Sequence, residues 1–504
     1  MIKVQTNNYT HFIYITPNIP NICIHLIYQI YTHSNVIFNM QVINDEPFNL
    51  SYMVYDPNPD VYEAQLHMKI QKVEDLFKTD ERTKLENIET TTFRSPAEHC
   101  RFRCRFAIVR EDSKTDEGLS TTYLSYAKYD HGEQSVMVTS FPIAALPIYR
   151  VMPLLLKHIL IVDNGSDVMI GGLRGVNFLC PISGHLMMTL IYADRVLNEE
   201  WLESANALQK LLEIHMKTHG SCSNSNTNTP NDNTNTTTSD NDSDSKIKIN
   251  LVGRSKGIKL VVGEDYLVEC FSMSDGDVVT APYQQTDLVY YKQIENGFSN
   301  PNAYVNISSL KWLSKNVISI VADIHRIRGL AAGAVAVAVD SVSTGGVDLL
   351  ELYCGNGNHT AILSRYVSRM LAVESNSFLC EVARDNMRMN GVENVEILHC
   401  TSEYVARSLV GIYRKSNHEK LRLGIDTEGA VDEGHCYYQS KAAPFHNYKF
   451  EIILVDPPRA GLAGDKKDAD VAGKAVCRYN YILYISCNPV ALHKDLLYVS
   501  TVCC

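Results

Sequence analysis

Two loops near the end of this 504-residue chain carry the residues best suited to covalent chemistry. Asp456-Pro457-Pro458-Arg459-Ala460-Gly461 offers a carboxylate, and Ser486-Cys487-Asn488-Pro489 offers a thiol, which as a thiolate is a nucleophile able to form a covalent intermediate. Each loop closes a short apolar run, Ile452-Ile453-Leu454-Val455 in one case and Tyr481-Ile482-Leu483-Tyr484-Ile485 in the other. Runs of that length and β-branched content read as buried parallel strands. Asp-Pro-Pro and Asn-Pro stop them and open loops. Ligands in open parallel sheets sit at the carboxyl ends of strands, so both loops fall where chemistry is done. Leu492 onward can start a helix, whose N-terminus is expected to lower the Cys487 pKa. The plain alternatives are a buried inert cysteine and an aspartate that merely caps its strand.

The elements that must position these loops lie upstream. Val347-Asp348-Leu349-Leu350-Glu351-Leu352 reads as a strand feeding the turn Tyr353-Cys354-Gly355-Asn356-Gly357-Asn358, after which His359-Thr360 open an apolar helix. Met370-Leu371-Ala372-Val373 forms the next strand, and Glu374 ends it about twenty residues after the glycines, where an acid can hold ribose hydroxyls. The third glycine of the dinucleotide fingerprint is absent. Turn, acid and Asp-Pro-Pro together point to S-adenosylmethionine (SAM) rather than NAD.

These stretches resemble one family, the bacterial-type tRNA (uracil-5-)-methyltransferases with their ribosomal-RNA relatives. The resemblance is carried by Leu349 to Asn358 (LLELYCGNGN), Asp456 to Leu462 (DPPRAGL), Ile482 to Pro489 (ILYISCNP), Glu295 to Asn302 (ENGFSNPN) and Phe93 to Pro96 (FRSP). It runs from Tyr62 to the end, apart from insertions. It implies an α/β fold, with a Rossmann-like SAM-dependent methyltransferase domain preceded by a β-rich α+β RNA-binding domain. It also implies methylation of uridine C5 in tRNA, at the T-loop uridine 54. Cys487 would be the nucleophile: a thiolate adding to C6 makes the ring an enolate whose C5 can attack the methyl of SAM. Asn300, Tyr353, Asn358, Glu374 and Asp456 match cofactor-contacting positions, and Cys354 matches a packing residue of the turn. Two positions depart from the pattern: Asn300 stands where the family has Gln, one methylene longer, and Ala491 where threonine is usual. The family glutamate that takes the C5 proton lies a few tens of residues after the cysteine. Here 17 residues follow Cys487 and none is Glu, so that role carries over to no residue. The expectation is therefore a truncated sequence or a catalytically crippled chain, with the last strands of the sheet missing and an edge exposed. Ribosomal-RNA methylation and non-catalytic tRNA binding are the alternative readings.

Along the chain, residues 1–45 look foreign to the rest. Met1 to Met40 hold no acid and one lysine, Lys3, and are expected to be an unstructured or misannotated extension. The RNA-binding domain is expected over 46–293, with a helix over 62–77 and a disordered, Asn/Ser/Thr-rich insert over 218–246. Within it, Arg101, Arg103 and Arg105 alternate with Phe102, Cys104 and Phe106. Three like charges on one strand face repel unless something anionic lies there, so these residues, with Arg94 of the FRSP match, are the expected RNA-binding set; a solvated face is the alternative. Further strands are expected over 121–127, 135–139, 176–179, 186–192, 247–251 and 257–262, and helices over 197–217 and 303–327. The methyltransferase domain is expected over 294–504, with insertions over 329–346 and 415–447.

A chain of this length holds two or three domains. Its 45% hydrophobic content suffices for real cores, and no apolar run is long enough to span a membrane. The net charge of −11 argues against a general nucleic-acid binder while leaving room for a local basic face. Fourteen scattered cysteines without CxxC pairs suggest reduced thiols and no metal. A cytoplasmic monomer is expected, with a mitochondrial or nuclear location as the alternative.

Overall fold

The structure is a computed structural model that describes residues 2–5, 10–15, 23–29, 59–80, 90–114, 120–129, 135–218, 247–274, 287–329, 346–409, 447–462, 475–476 and 478–502. The chain forms two compact units. One comprises Met1–Ala97, Glu269–Lys292 and Asn302–Cys504; the other comprises Glu98–Val268 and Gln293–Pro301.

The first unit opens with β1 (Ile2–Gln5), β2 (Thr10–Ile15), β3 (Cys23–Gln29), α1 (Pro59–Phe77) and β4 (Thr90–Thr92). The second unit carries β5 (Arg103–Lys114), β6 (Ser120–Tyr129), β7 (Ser135–Val138), α2 (Leu146–Asp163), β8 (Leu173–Leu179), β9 (Leu186–Tyr192), α3 (Glu199–Thr218), β10 (Ile249–Ser255) and β11 (Ile258–Val262). A two-stranded ribbon follows, β12 (Tyr266–Ser272) with β13 (Leu288–Ile294). The remainder is α4 (Ala303–Ile327), β14 (Asp348–Leu352), α5 (Thr360–Leu363), β15 (Arg369–Glu374), α6 (Ser377–Met389), β16 (Val395–His399), α7 (Ser402–Leu409), β17 (Phe450–Val455), β18 (Tyr481–Ser486) and α8 (Pro489–Val502).

The sheet that positions the site runs β1-β2-β3-β18-β17-β14-β15-β16, with β4 on β2. From β3 to β16 every neighbouring pair is parallel. All five residues of β14 and all six of β18 are buried, as expected of parallel strands covered on both faces. The pleat then sorts side chains. Leu350, Leu352, Ile453, Val455, Ile482 and Tyr484 join one cluster with Val73 and Phe77 of α1 and Leu492, Leu496 and Val499 of α8. Truncating such a side chain to alanine costs about 2–5 kcal/mol, transfer and cavity together. At the opposite strand ends, buried Asp348 takes a bidentate grip from Arg369, at 3.0 and 2.6 Å.

The structure corrects the organisation expected at the N-terminus. The segment expected to be an unstructured extension contributes β1–β3, and β3 lies parallel to β18 with Cys23 opposite Tyr481. The edge expected to be exposed is thus paired, because an apolar strand edge offers unpaired amides and carbonyls to any strand that can reach it. The helix expected in the RNA-binding domain, α1, instead supplies Val73 and Phe77 to the core beneath the parallel sheet. The insert and the two later insertions lie almost wholly outside the described residues.

The second unit is built on a seven-stranded sheet, β11-β10-β9-β8-β5-β6-β7. Its one parallel pair, β9 with β10, needs a crossover connection, and the path through α3 provides it. Phe106 packs edge-on against Phe141 at 5.1 Å, and Trp201 of α3 donates its Nε1–H to Tyr192 at 2.9 Å. Among the described residues no helix is long and apolar enough to cross a membrane. Cys100, Cys104, Cys180, Cys270, Cys354, Cys380 and Cys487 are free thiols, while Cys400 is disulfide-bonded, a departure from the fully reduced chain expected.

Candidate active site

The turn after β14 is strained in the way a ligand-binding turn must be. Tyr353 sits at φ 64°, a conformation costly for a bulky side chain. That φ swings its ring toward the α1/α8 cluster, where its hydroxyl donates to Glu403 of α7 at 3.0 Å. Gly357, at φ 82°, adopts a backbone conformation that favours glycine, and a Cβ there would press on Met387 Cε at 3.0 Å. Glu374, at the end of β15, is half-buried; it accepts from the Gly355 amide at 3.1 Å and from the Asn376 amide at 2.7 Å. It also accepts from the Ser375 hydroxyl at 3.3 Å; a carboxylate has about four acceptor sites, so one remains for a ligand hydroxyl. An acidic acceptor at the end of the second parallel strand fits a nucleoside with a free ribose. Asn358 behaves differently from its expected role: its side-chain amide forms a reciprocal pair with that of Asn306 on α4, at 3.1 and 2.9 Å.

The two chemistry-bearing loops are tied to each other and to α8. Asn488 accepts from the Val490 amide at 3.1 Å, an N-cap with Pro489 in the first turn. The Asn488 side chain also donates to the Arg459 carbonyl at 3.0 Å. Asp495 of α8 accepts from the Leu462 amide at 2.7 Å and from the Tyr484 hydroxyl. Gly461 turns at φ 78° beside it, and a Cβ at that position would meet Asp495 Oδ2 at 2.5 Å.

The same pleat sets which side the reactive groups face. With Leu352 in the α1/α8 cluster, alternation sends Glu351 to the other face of the sheet, while Asp456 and Cys487 directly follow the last residues of the adjacent parallel strands β17 and β18. Burial pushes the Asp456 carboxyl up to about 6; His359 pulls it down and Glu351 pushes it further up. Cys487 contradicts the expected lowering. Burial, reinforced by the Asp456 charge, pushes its thiol up to about 11 against the pull of Arg459 and of its own backbone amide.

Two residues here escaped the sequence reading. Glu351 is fully buried, accepts from the Thr360 hydroxyl at 2.6 Å, and lies 3.7 Å from His359 Nδ1. A carboxylate inside an otherwise apolar strand was the available signal. Asn306 had none, since its partner is set by tertiary packing.

In the second unit, Phe102, Cys104 and Phe106 are buried, as the alternation in β5 requires. Arg101 donates to the Arg103 carbonyl at 3.1 Å, Arg103 donates to the Gly297 carbonyl at 2.8 Å and lies over the Phe298 ring, and exposed Arg105 donates to Asn177 at 2.9 Å. Asn300 belongs to this unit, half-buried. Arg94, in the first unit, is exposed and pairs with Glu63. Among the described residues no three His, Cys, Asp or Glu side chains gather as metal ligands.

The family model for tRNA (uracil-5-)-methyltransferase matches residues 61–220, 223–326 and 330–502. A tRNA/tmRNA (uracil-C(5))-methyltransferase of Vibrio vulnificus is 30% identical over 442 residues, covering 88% of this chain and 90% of the relative. One from Nitratiruptor is 27% identical over 435 residues, 86% of each. Among solved structures, the tRNA (uracil-54, C5)-methyltransferase of Pyrococcus abyssi, in complex with S-adenosyl-L-homocysteine, matches at 15% identity and a TM-score of 0.45, over 87% of this chain and 77% of that one. With its parallel-sheet core and a family match across nearly the whole sequence from α1 onward, the chain belongs to the SAM-dependent tRNA (uracil-5-)-methyltransferase family.

Proposed function

We propose that this chain methylates C5 of a uridine in tRNA, the T-loop uridine 54, through a covalent adduct between Cys487 and uracil C6. The observation that carries the reading is the placement of Cys487 and Asp456 at the carboxyl ends of adjacent parallel strands, on loops that the Asn488 side chain ties together through the Arg459 carbonyl. SAM supplies the methyl group. Glu374 holds the ribose and Asp456 faces the reacting end of the cofactor. Tyr353 shapes the turn beneath it. Asn358, committed to Asn306, acts by fixing the turn to α4, and Asn300 remains a cofactor contact by resemblance alone.

Cys487 loses its proton and its sulfur forms a bond to C6; the C5–C6 electron pair moves toward O4, which leaves C5 nucleophilic. Arg459 favours the thiolate, drawing the Cys487 pKa down. After methylation, a water molecule takes the C5 proton, the electron pair of that C–H bond returns to the ring, and the Cys487 thiolate leaves from C6. The uridine must leave its stack to reach a thiol in a sheet-end cleft. Arg101, Arg103 and Arg105 hold RNA phosphates along one face of β5, and Arg94 contacts RNA from the first unit.

The test is adduct formation with tRNA containing 5-fluorouracil, whose C5 carries no removable proton. Wild type is expected to form an adduct stable to denaturation, with tRNA and, since its relatives are tRNA/tmRNA methyltransferases, with tmRNA. Cys487→Ala is expected to form none and to lose methylation. A variant that still methylates at the wild-type rate overturns the assignment, and a tRNA with uridine 54 replaced that still accepts methyl overturns the position.

A further inference from the structure

Ser486 stands immediately before the nucleophile, and the reaction as described gives it no part. It is the last residue of β18, on the strand face it shares with Ile482 and Tyr484, both members of the α1/α8 cluster. Only 3% of Ser486 is exposed, and a hydroxyl buried on an apolar face is costly unless it is hydrogen-bonded. Its partners lie two residues ahead. Ser486 Oγ accepts from the Asn488 amide at 3.1 Å and donates to the Asn488 carbonyl at 3.0 Å. Both bonds reach across Cys487 and close a small ring around its backbone. The far side of that ring is fixed as well. Asn488 accepts at its side-chain oxygen from the Val490 amide at 3.1 Å, donates from its side-chain nitrogen to the Arg459 carbonyl at 3.0 Å, and accepts at its own carbonyl from the Leu492 amide at 3.0 Å. The near side is held in the sheet, where Tyr481 to Ser486 pair in register with β3.

We propose that Ser486 is a positioning residue whose hydroxyl sets the direction in which the Cys487 sulfur leaves the backbone. The inference rests on the reading of Cys487 as the nucleophile given above. Two anchored ends and a bridging hydroxyl restrain the backbone of the cysteine between them, and with it the direction of the Cα–Cβ bond. A single side-chain torsion with three staggered wells then places the sulfur, so a fixed backbone leaves it three positions. Addition to uracil C6 requires the sulfur above the plane of the ring, about 3–3.5 Å from the carbon and aligned with its π orbital. The thiolate leaves along the same line once the C5 proton is gone. Asn488 engages the Ser486 hydroxyl as donor and as acceptor, so the group serves as a strut rather than as an acid or base. Alanine would fill the same strand position and keep the apolar face, but it would leave the span across Cys487 unbraced.

The experiment separates the aim of the thiol from its intrinsic reactivity, in the full-length protein. Ser486→Ala is compared with the pair Ser486→Thr and Ser486→Val, which share a branched shape and differ in the hydroxyl. Two rates are followed for each. One is single-turnover adduct formation with saturating SAM and saturating tRNA containing 5-fluorouracil. The other is Cys487 modification by methyl methanethiosulfonate, a reagent small enough to meet the sulfur from any open direction, resolved by peptide mass spectrometry. Ser486→Ala and Ser486→Val are expected to form the adduct ~10–100-fold more slowly, the scale on which small misplacements of reacting atoms act. Their methanethiosulfonate rate, SAM affinity and tRNA concentration for half-saturation are expected to match wild type. Ser486→Thr is expected to keep most of the adduct rate. A wild-type adduct rate in Ser486→Ala, a parallel fall of both rates, or equal adduct rates in Ser486→Thr and Ser486→Val overturns the proposal. The methylation reading fails separately, on the absence of a fluorouracil adduct in wild type.

Discussion

A cysteine pushed up to about 11 from an ordinary 9.0 is a poor resting nucleophile, and this makes Cys487 measurable without RNA. At pH 8 such a thiol is ~0.1% ionised, against roughly 10% for an unperturbed one. The more basic thiolate reacts faster per molecule, by about eightfold over two units at a Brønsted slope near 0.45. The net expectation is alkylation by iodoacetamide about tenfold slower than for a free cysteine at pH 8, rising through a midpoint near 11. After burial, the Asp456 charge is the largest cause of the shift. Asp456→Asn removes it, so the midpoint is expected to fall; each unit of fall gives ~3–4-fold faster alkylation at pH 8. The same variant is expected to lose methylation, so reactivity and catalysis move in opposite directions. The assay is peptide-resolved alkylation between pH 7 and 11. A midpoint at or below the ordinary value, or slower alkylation in Asp456→Asn, refutes the account of the site's electrostatics.

Glu374→Ala is expected to weaken SAM binding by about 1–3 kcal/mol in calorimetry, the loss of hydrogen bonds to a charged group; unchanged affinity counts against ribose binding at β15. Replacing Arg101, Arg103 and Arg105 together with glutamine is expected to reduce the slope of log affinity for tRNA against log salt by roughly one per lost phosphate contact. Arg105 contributes most, since it is exposed and donates to a neutral amide; an unchanged slope means the face is merely solvated. Gly461→Ala is expected to destabilise the first unit by about 1–3 kcal/mol in denaturant unfolding, from the positive φ and the collision with Asp495; a shift under ~0.5 kcal/mol refutes the close packing there.

The parallel core was legible because it is encoded locally. Buried strands read as apolar runs, and β9 and α4 begin and end where their patterns do. The α2 helix was missed although it is largely buried: Pro147 and Pro153 read as breakers, yet one sits in its first turn and the other replaces an amide within a helix that tertiary packing sustains. The ribbon β12–β13 was missed because its strands are interrupted by residues 275–286. In the site, the positions of Cys487, Asp456 and Glu374 at strand ends were readable. The thiol's direction of shift was not, because it depends on how deeply the loop is buried and which carboxylate faces it. The Asn358–Asn306 pair was likewise invisible: fifty-two residues separate its members, and only the packed turn brings two amides together. Where the chain's first strands go was equally unreadable, since pairing of β3 with β18 is set by which edge is available.

Asp495 bears on more than the geometry of its loop. One carboxylate on a helix holds the backbone after Asp-Pro-Pro and the ring of a core tyrosine at once. The loop that carries Arg459 is therefore immobilised by the folding reaction itself, and the entropy of ordering it is spent before any substrate arrives. Binding energy from a large RNA can then go toward extracting a base from its stack. A residue outside every recognisable motif thus contributes to preorganisation, and its loss would be felt as a slower encounter-to-adduct step in a protein whose cofactor affinity is unchanged.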